Sequence, residues 1–229
     1  MMSIDCEGKT TREINREIRR LVDDGVDEIL IINPGARHNL GVAITQPVRL
    51  IFDGSVGYYC AGMIDGPTVE VRGSAGWGTG EAMMSGTIIV EKNAGNGAAA
   101  SIRGGTIVVR GDAAARAGIA MKGGTMIIGG DAGYMTGFMM QKGTIIICGN
   151  SGEALGDSLY EGRIFVGGEI AELGNDAVVH EPEDDDLLFI TDSLSMFGID
   201  PPHTFRKVIA GRRLWNFDKK ELDIWKEAL

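Results

Sequence analysis

Apolar residues return along this chain in short runs at a fixed interval. The triplets Ile88-Ile89-Val90, Ile107-Val108-Val109, Met126-Ile127-Ile128 and Ile145-Ile146-Ile147 each follow a threonine, and Thr68, Thr87, Thr106, Thr125 and Thr144 stand 19 residues apart. Rows of 19 beginning at Leu30, Arg49, Thr68, Thr87, Thr106, Thr125, Thr144 and Arg163 align β-branched residues in the same columns, the composition of buried strands. A second apolar column, Ile64, Met83, Ile102, Met121, Met140 and Leu159, predicts a shorter inward-facing strand. Glycine punctuates the rows. One column holds Gly35, Gly54, Gly73, Gly111, Gly130, Gly149 and Gly168, another Gly86, Gly105, Gly124, Gly143 and Gly162, a third Gly57, Gly76, Gly95, Gly133 and Gly152. Because glycine turns with positive φ at little steric cost, these columns read as corners.

A short fixed period with apolar columns and glycine corners predicts an all-β fold, a right-handed parallel β-helix of about seven to eight coils. Helical solenoids and propellers repeat over roughly 33 to 50 residues and do not fit. Eight rows at ~4.8 Å each make a rod of roughly 38 Å. The chain divides into an N-terminal helical cap over 1–29, the β-helix over 30–180, and an acidic linker with a helical tail over 181–229. Thr10 to Gly25 places Ile14, Ile18, Leu21 and Val22 on one helical face, with Thr10 and Glu13 as a capping box and Gly25 as the stop. Short helices are expected around Pro201 to Phe205 and from Asp218 to Leu229.

Alternation along a strand sends Ile88, Val90, Ile107, Val109, Ile145 and Ile147 inward. The outward column should then be polar. It reads instead Ile51, Ile89, Val108, Ile127, Ile146 and Phe165, an apolar stripe that monomers seldom leave exposed. Ile89, Val108, Ile127 and Ile146 are therefore a candidate docking stripe, for a partner subunit or for the chain's own tail with Trp215, Phe217 and Trp225; a homo-oligomer is a separate reading.

Composition narrows the function. The chain has 229 residues, 35 glycines, 6 prolines and 44% hydrophobic residues, too apolar for a disordered linker. A formal net charge of −10 argues against nucleic-acid binding. Cys6, Cys60 and Cys148 offer neither a disulfide framework nor a zinc motif, and no apolar run marks a signal peptide or membrane span; the expected setting is the cytoplasm. Candidate chemistry is sparse. "GWGTG" at Gly76 to Gly80 lacks the spacing of a dinucleotide fingerprint. "GDSL" at Gly156 to Leu159 resembles the nucleophile block of a lipase and esterase family, which makes an autonomous hydrolase using Ser158 the rival reading, with His180 and His203 as nominal bases. His38, His180 and His203 are too dispersed for a metal site, and Glu181 to Asp186 lacks the ligand pattern of an EF-hand and reads as a solvated linker.

The rows "GGTIVVRGDA" and "KGTIIICGNSG" resemble the GXGXG domain that ends the large subunit of glutamate synthase. The resemblance spans roughly Leu30 to Val166, and the helix at Thr10 to Gly25 followed by "NPGARHNLGVAI" is similar to that domain's opening. It implies a stand-alone structural subunit without catalytic, cofactor-binding or metal-binding residues of its own, which contributes only its corner glycines, Gly54, Gly73, Gly111, Gly130, Gly149 and Gly168 among them. The implied partners are a glutamine amidotransferase subunit and an FMN-dependent synthase subunit that carries the FMN and an iron-sulfur cluster. Stand-alone relatives also resemble subunits of N-methylglutamate synthase and formylmethanofuran dehydrogenase. The tail "FGIDPPHTFRKVIAGRRLW" departs from the fused enzyme.

Overall fold

A fixed row length brings each apolar triplet back beside the last, and hydrogen bonding between rows does the rest. The computed structural model describes residues 1–211. In chain order the elements are β1 (Met2–Asp5), α1 (Thr11–Asp23), β2 (Glu28–Ile32), β3 (Arg49–Asp53), β4 (Asp65–Val71), β5 (Ser85–Val90), β6 (Thr106–Val109), β7 (Lys122–Ile128), β8 (Lys142–Ile147), β9 (Arg163–Val166), β10 (Ala177–His180), α2 (Asp184–Met196) and β11 (Arg206–Ala210). Strands β1 to β9 stack in sequence order, each parallel to the next, as a β-helix. The eight strands β2 to β9 bound seven turns (8 − 1). The threonine column is in register, Thr68↔Thr87↔Thr106↔Thr125↔Thr144↔Arg163. Among the described residues no helix is long and apolar enough to cross a membrane.

The first row corrects the sequence alignment. Glu28, not Leu30, pairs with Arg49, and Leu30 pairs with Ile51. This coil is two residues longer than the rows that follow, and its turn anchors α1: Asn15 Nδ2 donates to the Asn39 carbonyl, Asn15 Oδ1 accepts from Gly41 N–H, and Arg19 donates to the Val42 carbonyl. α1 begins with the expected capping box between Thr10 and Glu13, buries Ile14, Ile18, Leu21 and Val22, and is followed by Gly25 at φ +82°. With β1 it closes the N-terminal end of the rod, as a solenoid's terminal repeat must.

The expected second strand lies elsewhere. A ladder of parallel bridges joins Val56, Ala75, Ala94, Ala113, Ala132, Ser151 and Ile170, whereas Ile64, Met83, Ile102, Met121, Met140 and Leu159 point inward from a turn face, all fully buried. On that face the backbone alternates hands. Tyr59, Gly78, Gly97, Arg116 and Met135 have positive φ, as do the residues two and four places later in each of these rows. The N–H groups of Tyr59, Gly78, Gly97 and Arg116 donate forward to the next coil, to Trp77, Asn96, Ala115 and Tyr134 carbonyls at 2.7 to 2.9 Å. Those of Gly80, Ala99 and Gly118 donate backward, to Cys60, Thr79 and Ala98. Intervening peptides close local turns, as Glu81 N–H does on the Gly78 carbonyl. The third wall is thus hydrogen-bonded without being a strand.

The glycine column Gly54 to Gly168 needs a different explanation from the one its sequence suggests. Only Gly54 in it has positive φ; the others are small because the neighbouring coil is close. A Cβ on Gly149 would lie 2.6 Å from the Gly130 carbonyl oxygen, and one on Gly168 equally close to that of Gly149. Beside this column a side-chain ladder climbs the rod: Asn93 Oδ1 accepts from Asp112 N–H, Asp112 Oδ1 from Asp131, Asp131 Oδ1 from Asn150, and Asn150 Oδ1 from Glu169, at 2.7 to 3.0 Å.

The C-terminal part differs most from expectation. Glu181 to Asp186 is no linker: Glu183 caps α2 and Asp184 to Asp186 form its first turn, where carboxylates meet the positive end of the helix dipole. Pro201 to Phe205 is not helical but leads into β11, which turns antiparallel and inserts between β9 and β10. The expected helix at Asp218 to Leu229 lies outside the described residues. Two substitutions test the packing by thermal denaturation. Gly149→Ala forces the coils apart and is expected to cost roughly 1 to 3 kcal/mol. Ser151, whose buried hydroxyl has no partner among the described residues, occupies the alanine column, so Ser151→Ala is expected to stabilise by roughly 1 kcal/mol.

Candidate docking surfaces

The outer face of the sheet divides at Glu70, the one acidic residue in the outward column of Leu30, Ile51, Glu70, Ile89, Val108, Ile127, Ile146 and Phe165. Toward the N-terminus it is laced with charge. Arg49 bridges Glu28 and Glu70 at 2.9 Å each, and Arg72 bridges Asp53 at 3.2 Å and Glu70 at 3.3 Å. Such half-exposed pairs contribute about 0 to 1 kcal/mol apiece, and they keep this half of the face polar.

Toward the C-terminus the stripe is covered by the chain itself. Val108, Ile127, Ile146 and Phe165 are fully buried against Ile190, Leu194 and Phe205, with Phe189, Phe197, Ile199 and a half-buried Ile89 around them. The stripe is therefore not an open docking face over these rows, and its cover is α2 and the segment behind it. Trp215, Phe217 and Trp225 lie outside the described residues. At roughly 1.5 to 3 kcal/mol gross per buried side chain, four such residues supply on the order of 6 to 12 kcal/mol against the ordering of the helix.

Polar contacts set the helix in place. Arg110 Nη1 donates to the Phe197 carbonyl at 2.9 Å. Asp186, 3% exposed, receives Arg163 and Lys207 at 2.7 Å each and the Glu183 backbone N–H at 3.1 Å. Burial alone pushes its carboxyl up, but the Lys207 hydrogen bond, the Glu183 N–H and the charges of Lys207 and Arg163 together hold it below the ordinary carboxylate value. The Arg163 guanidinium also sits over the rings of Phe189 and Phe165, 4.9 and 5.5 Å from their centroids. One buried carboxylate thus ties α2 to β9 and β11.

The turn face remains open. His38, Tyr58 and Trp77 stack on successive coils with centroids 4.4 and 5.1 Å apart. Tyr58, Tyr59, Met63, Trp77, Tyr134 and Met139 are all at least 39% exposed, residue types that protein interfaces favour. Reasoning from the sequence passed over this face. The signal was available: Tyr58, Trp77 and Tyr134 occupy one column of the 19-residue rows.

Ser158 lies in the turn face at φ +56°, and its hydroxyl donates to Asp157 at 2.7 Å. Asp157 in turn accepts from the Asn175 side chain at 2.7 Å. Among the described residues no histidine bonds Ser158; His180 is exposed in β10 and His203 is exposed before β11. Within "GWGTG", Gly78 and Gly80 turn at φ +66° and +71°, and a Cβ on Gly76 would lie 2.6 Å from the Gly57 carbonyl carbon. Burial pushes the Cys60 thiol up to about 12 and that of Cys148 to about 11, far from a thiolate at neutral pH. Among the described residues no group of three or more His, Cys, Asp or Glu side chains is placed to hold a metal ion.

Comparison with known proteins adds two relatives. Protein GlxC of Rhizobium meliloti (strain 1021) is 46% identical over 87 residues, a stretch covering 38% of this chain and 38% of that protein. A chain in the X-ray crystal structure of the formyltransferase/hydrolase complex (FhcABCD) from Methylorubrum extorquens, in complex with methylofuran, matches with a TM-score of 0.67. That match has 25% identity and covers 86% of this chain and 85% of the other. No family profile matches the chain. The β-helix is thus shared with a component of a multi-subunit assembly.

Two measurements test the covered stripe. Ile127→Lys places a charge under α2 without touching the core of the rod; the β-helix is expected to stay folded by circular dichroism while limited proteolysis newly cleaves 184–205. The lowered Asp186 value stabilises docking above the ordinary carboxylate pKa, and that contribution fades as pH falls through it toward the lower folded value. Protection of α2 should therefore be flat from neutral pH to about 5 and decline below about 4, and Asp186→Asn should weaken docking at pH 7 and flatten the decline.

Proposed function

We propose that this chain is a non-catalytic structural subunit of a glutamate-synthase-like amidotransferase complex, bracing a glutamine amidotransferase subunit and an FMN-dependent synthase subunit. The observation that carries the reading is the open turn face, where Tyr58, Tyr59, Met63, Trp77, Tyr134 and Met139 stand exposed on a hydrogen-bonded, rigid rod. An array of this kind holds partners at fixed spacing without chemistry of its own. The GXGXG-like rows and the likeness to a component of a multi-subunit assembly support it. FMN and the iron-sulfur cluster belong, on this reading, to a partner.

The same likeness, over 86% of the chain, favours a second reading: a β-helix subunit of a complex acting on one-carbon units carried by a furan cofactor. The readings separate on purification of the native chain with its partners. A glutaminase activity together with a flavin spectrum in the complex supports the first. A formyl-transferring complex without flavin supports the second. A chain that purifies alone and hydrolyses simple esters, with turnover abolished by Ser158→Ala, overturns both in favour of the autonomous hydrolase.

A further inference from the structure

The outer face of α1 breaks the local rules of a stable helix. Arg12, Arg16 and Arg19 follow one another at i, i+4 and i+7 and are all exposed, a spacing at which neighbouring like charges destabilise a helix. Arg12 also lies in the first turn, against the positive end of the helix dipole. The carboxylates that could relieve this are spent elsewhere. Glu13 accepts from Thr10, Glu17 from Lys9 at 2.7 Å, Asp24 from Arg20 at 2.8 Å and Asp23 from the Gln46 side chain at 3.4 Å. Such conflicts between sequence and local structure are expected where a binding site, rather than the fold, selects the residues.

The arginine face is also concave. Thr11, Arg12, Asn15, Arg16 and Arg19 line a cavity of about 580 Å³, and no carboxylate lines it. Small-molecule sites run from about 300 to 1,000 Å³. The wall of the cavity is held against the first coil. Asn15 Nδ2 donates to the Asn39 carbonyl at 2.7 Å and Oδ1 accepts from Gly41 N–H at 2.9 Å, while Arg19 Nη2 donates to the Val42 carbonyl at 3.2 Å. Arg12 and Arg16 have no ion pair or hydrogen bond among the described residues. The segment 212–229 offers no surplus of negative charge to neutralise them, since it holds five Lys and Arg against four Asp and Glu. The net charge of the whole chain, −10, is screened beyond about 8 Å at physiological salt, so the lining decides what binds.

We propose that this cavity is a binding site for a small phosphorylated molecule with two linked phosphoryl groups. A phosphoryl group carries about −1.5 to −2 charge at pH 7, so two that share a bridging oxygen match the three guanidinium groups, whereas a single carboxylate leaves two of them facing each other. Guanidinium donates paired N–H groups to phosphate oxygens, and side chains three and four residues apart on a helix are close enough to converge on one ligand. Asn15, held by the first coil, positions the site and does not itself carry the charge. The inference does not depend on the structural-subunit reading, which assigns no ligand to the chain.

Isothermal titration calorimetry of the full chain with pyrophosphate at low ionic strength tests it. Saturable binding is expected, and Arg12→Gln and Arg16→Gln should each weaken it about tenfold or more. Arg16→Lys, which keeps the charge without the paired donors, should fall between Arg16→Gln and the native chain. Arg103→Gln removes an exposed charge from a later coil and should leave binding unchanged. Both α1 glutamine variants should melt no lower than the native chain, because each relieves a like-charge pair, so that lost binding is not lost folding. Citrate and a peptide of consecutive glutamates serve as carboxylate competitors. Absent binding of pyrophosphate, binding indifferent to Arg12 and Arg16, an equal loss in Arg103→Gln, or citrate bound as tightly as pyrophosphate overturns the proposal. The glutamate peptide bound more tightly than pyrophosphate overturns it in favour of an acidic protein partner. Each of these results leaves the structural-subunit reading standing, since none depends on assembly.

Discussion

Every part of this molecule depends on hydrogen bonding between one coil and the next. In a parallel sheet that requirement is met along three or four residues per row, and the rest of the coil would otherwise carry unpaired amides. Here the alanine column adds a second ladder, and the turn face adds a third by alternating left- and right-handed residues so that successive amides point up and down the rod. Unpaired buried amides cost about 1 to 3 kcal/mol each, so beyond the longer first coil a row length of 19 is held by several ladders at once.

That constraint explains the composition. Where coils nearly touch, as at Gly130, Gly149 and Gly168, a side chain has no room. Where φ is positive, glycine, alanine, serine and methionine share the work. Inside, isoleucine, valine and methionine fill the cross-section, and Gly80, Gly118 and Gly137 leave space for Ile88 or Ile107, Ile145 and Ile164 from neighbouring rows. The same rule makes the ends of the rod vulnerable, because the last coil has no successor. α1 and β1 close one end, and β10 and β11 lengthen the sheet at the other.

The outer surface then divides into three faces with different chemistry. Charge pairs hold the N-terminal half of the sheet polar, α2 seals the C-terminal half around the buried Asp186, and the turn face stays open with its aromatic residues. A rod that already spends one apolar face on its own helix and leaves another exposed is suited to holding other proteins, which is the basis of the structural role proposed.

The repeat was legible because a β-helix is the one-dimensional case in which sequence period equals structural period: the strands from Arg49 to Val166, their register, the inward residues and the α1 cap with Thr10 and Glu13 could all be read from residue spacing. The first row could not, because its coil is two residues longer than the period and is held by contacts from Asn15 of α1 to residues 39 and 41 that no period encodes. Nor could the role of the corner glycines, since close approach between coils and positive φ select the same residue. In the acidic run at Glu181 to Asp186, Glu181, Glu183, Asp184 and Asp185 are exposed as their charge suggests, but the burial of Asp186 was not legible, because its charge is compensated only in three dimensions, by Arg163 and Lys207. The apolar stripe was visible as a column of residues, but which body covers it was decided by tertiary structure: burial depends on where a later helix finds its partners, and periodicity within the rod carries no information about that.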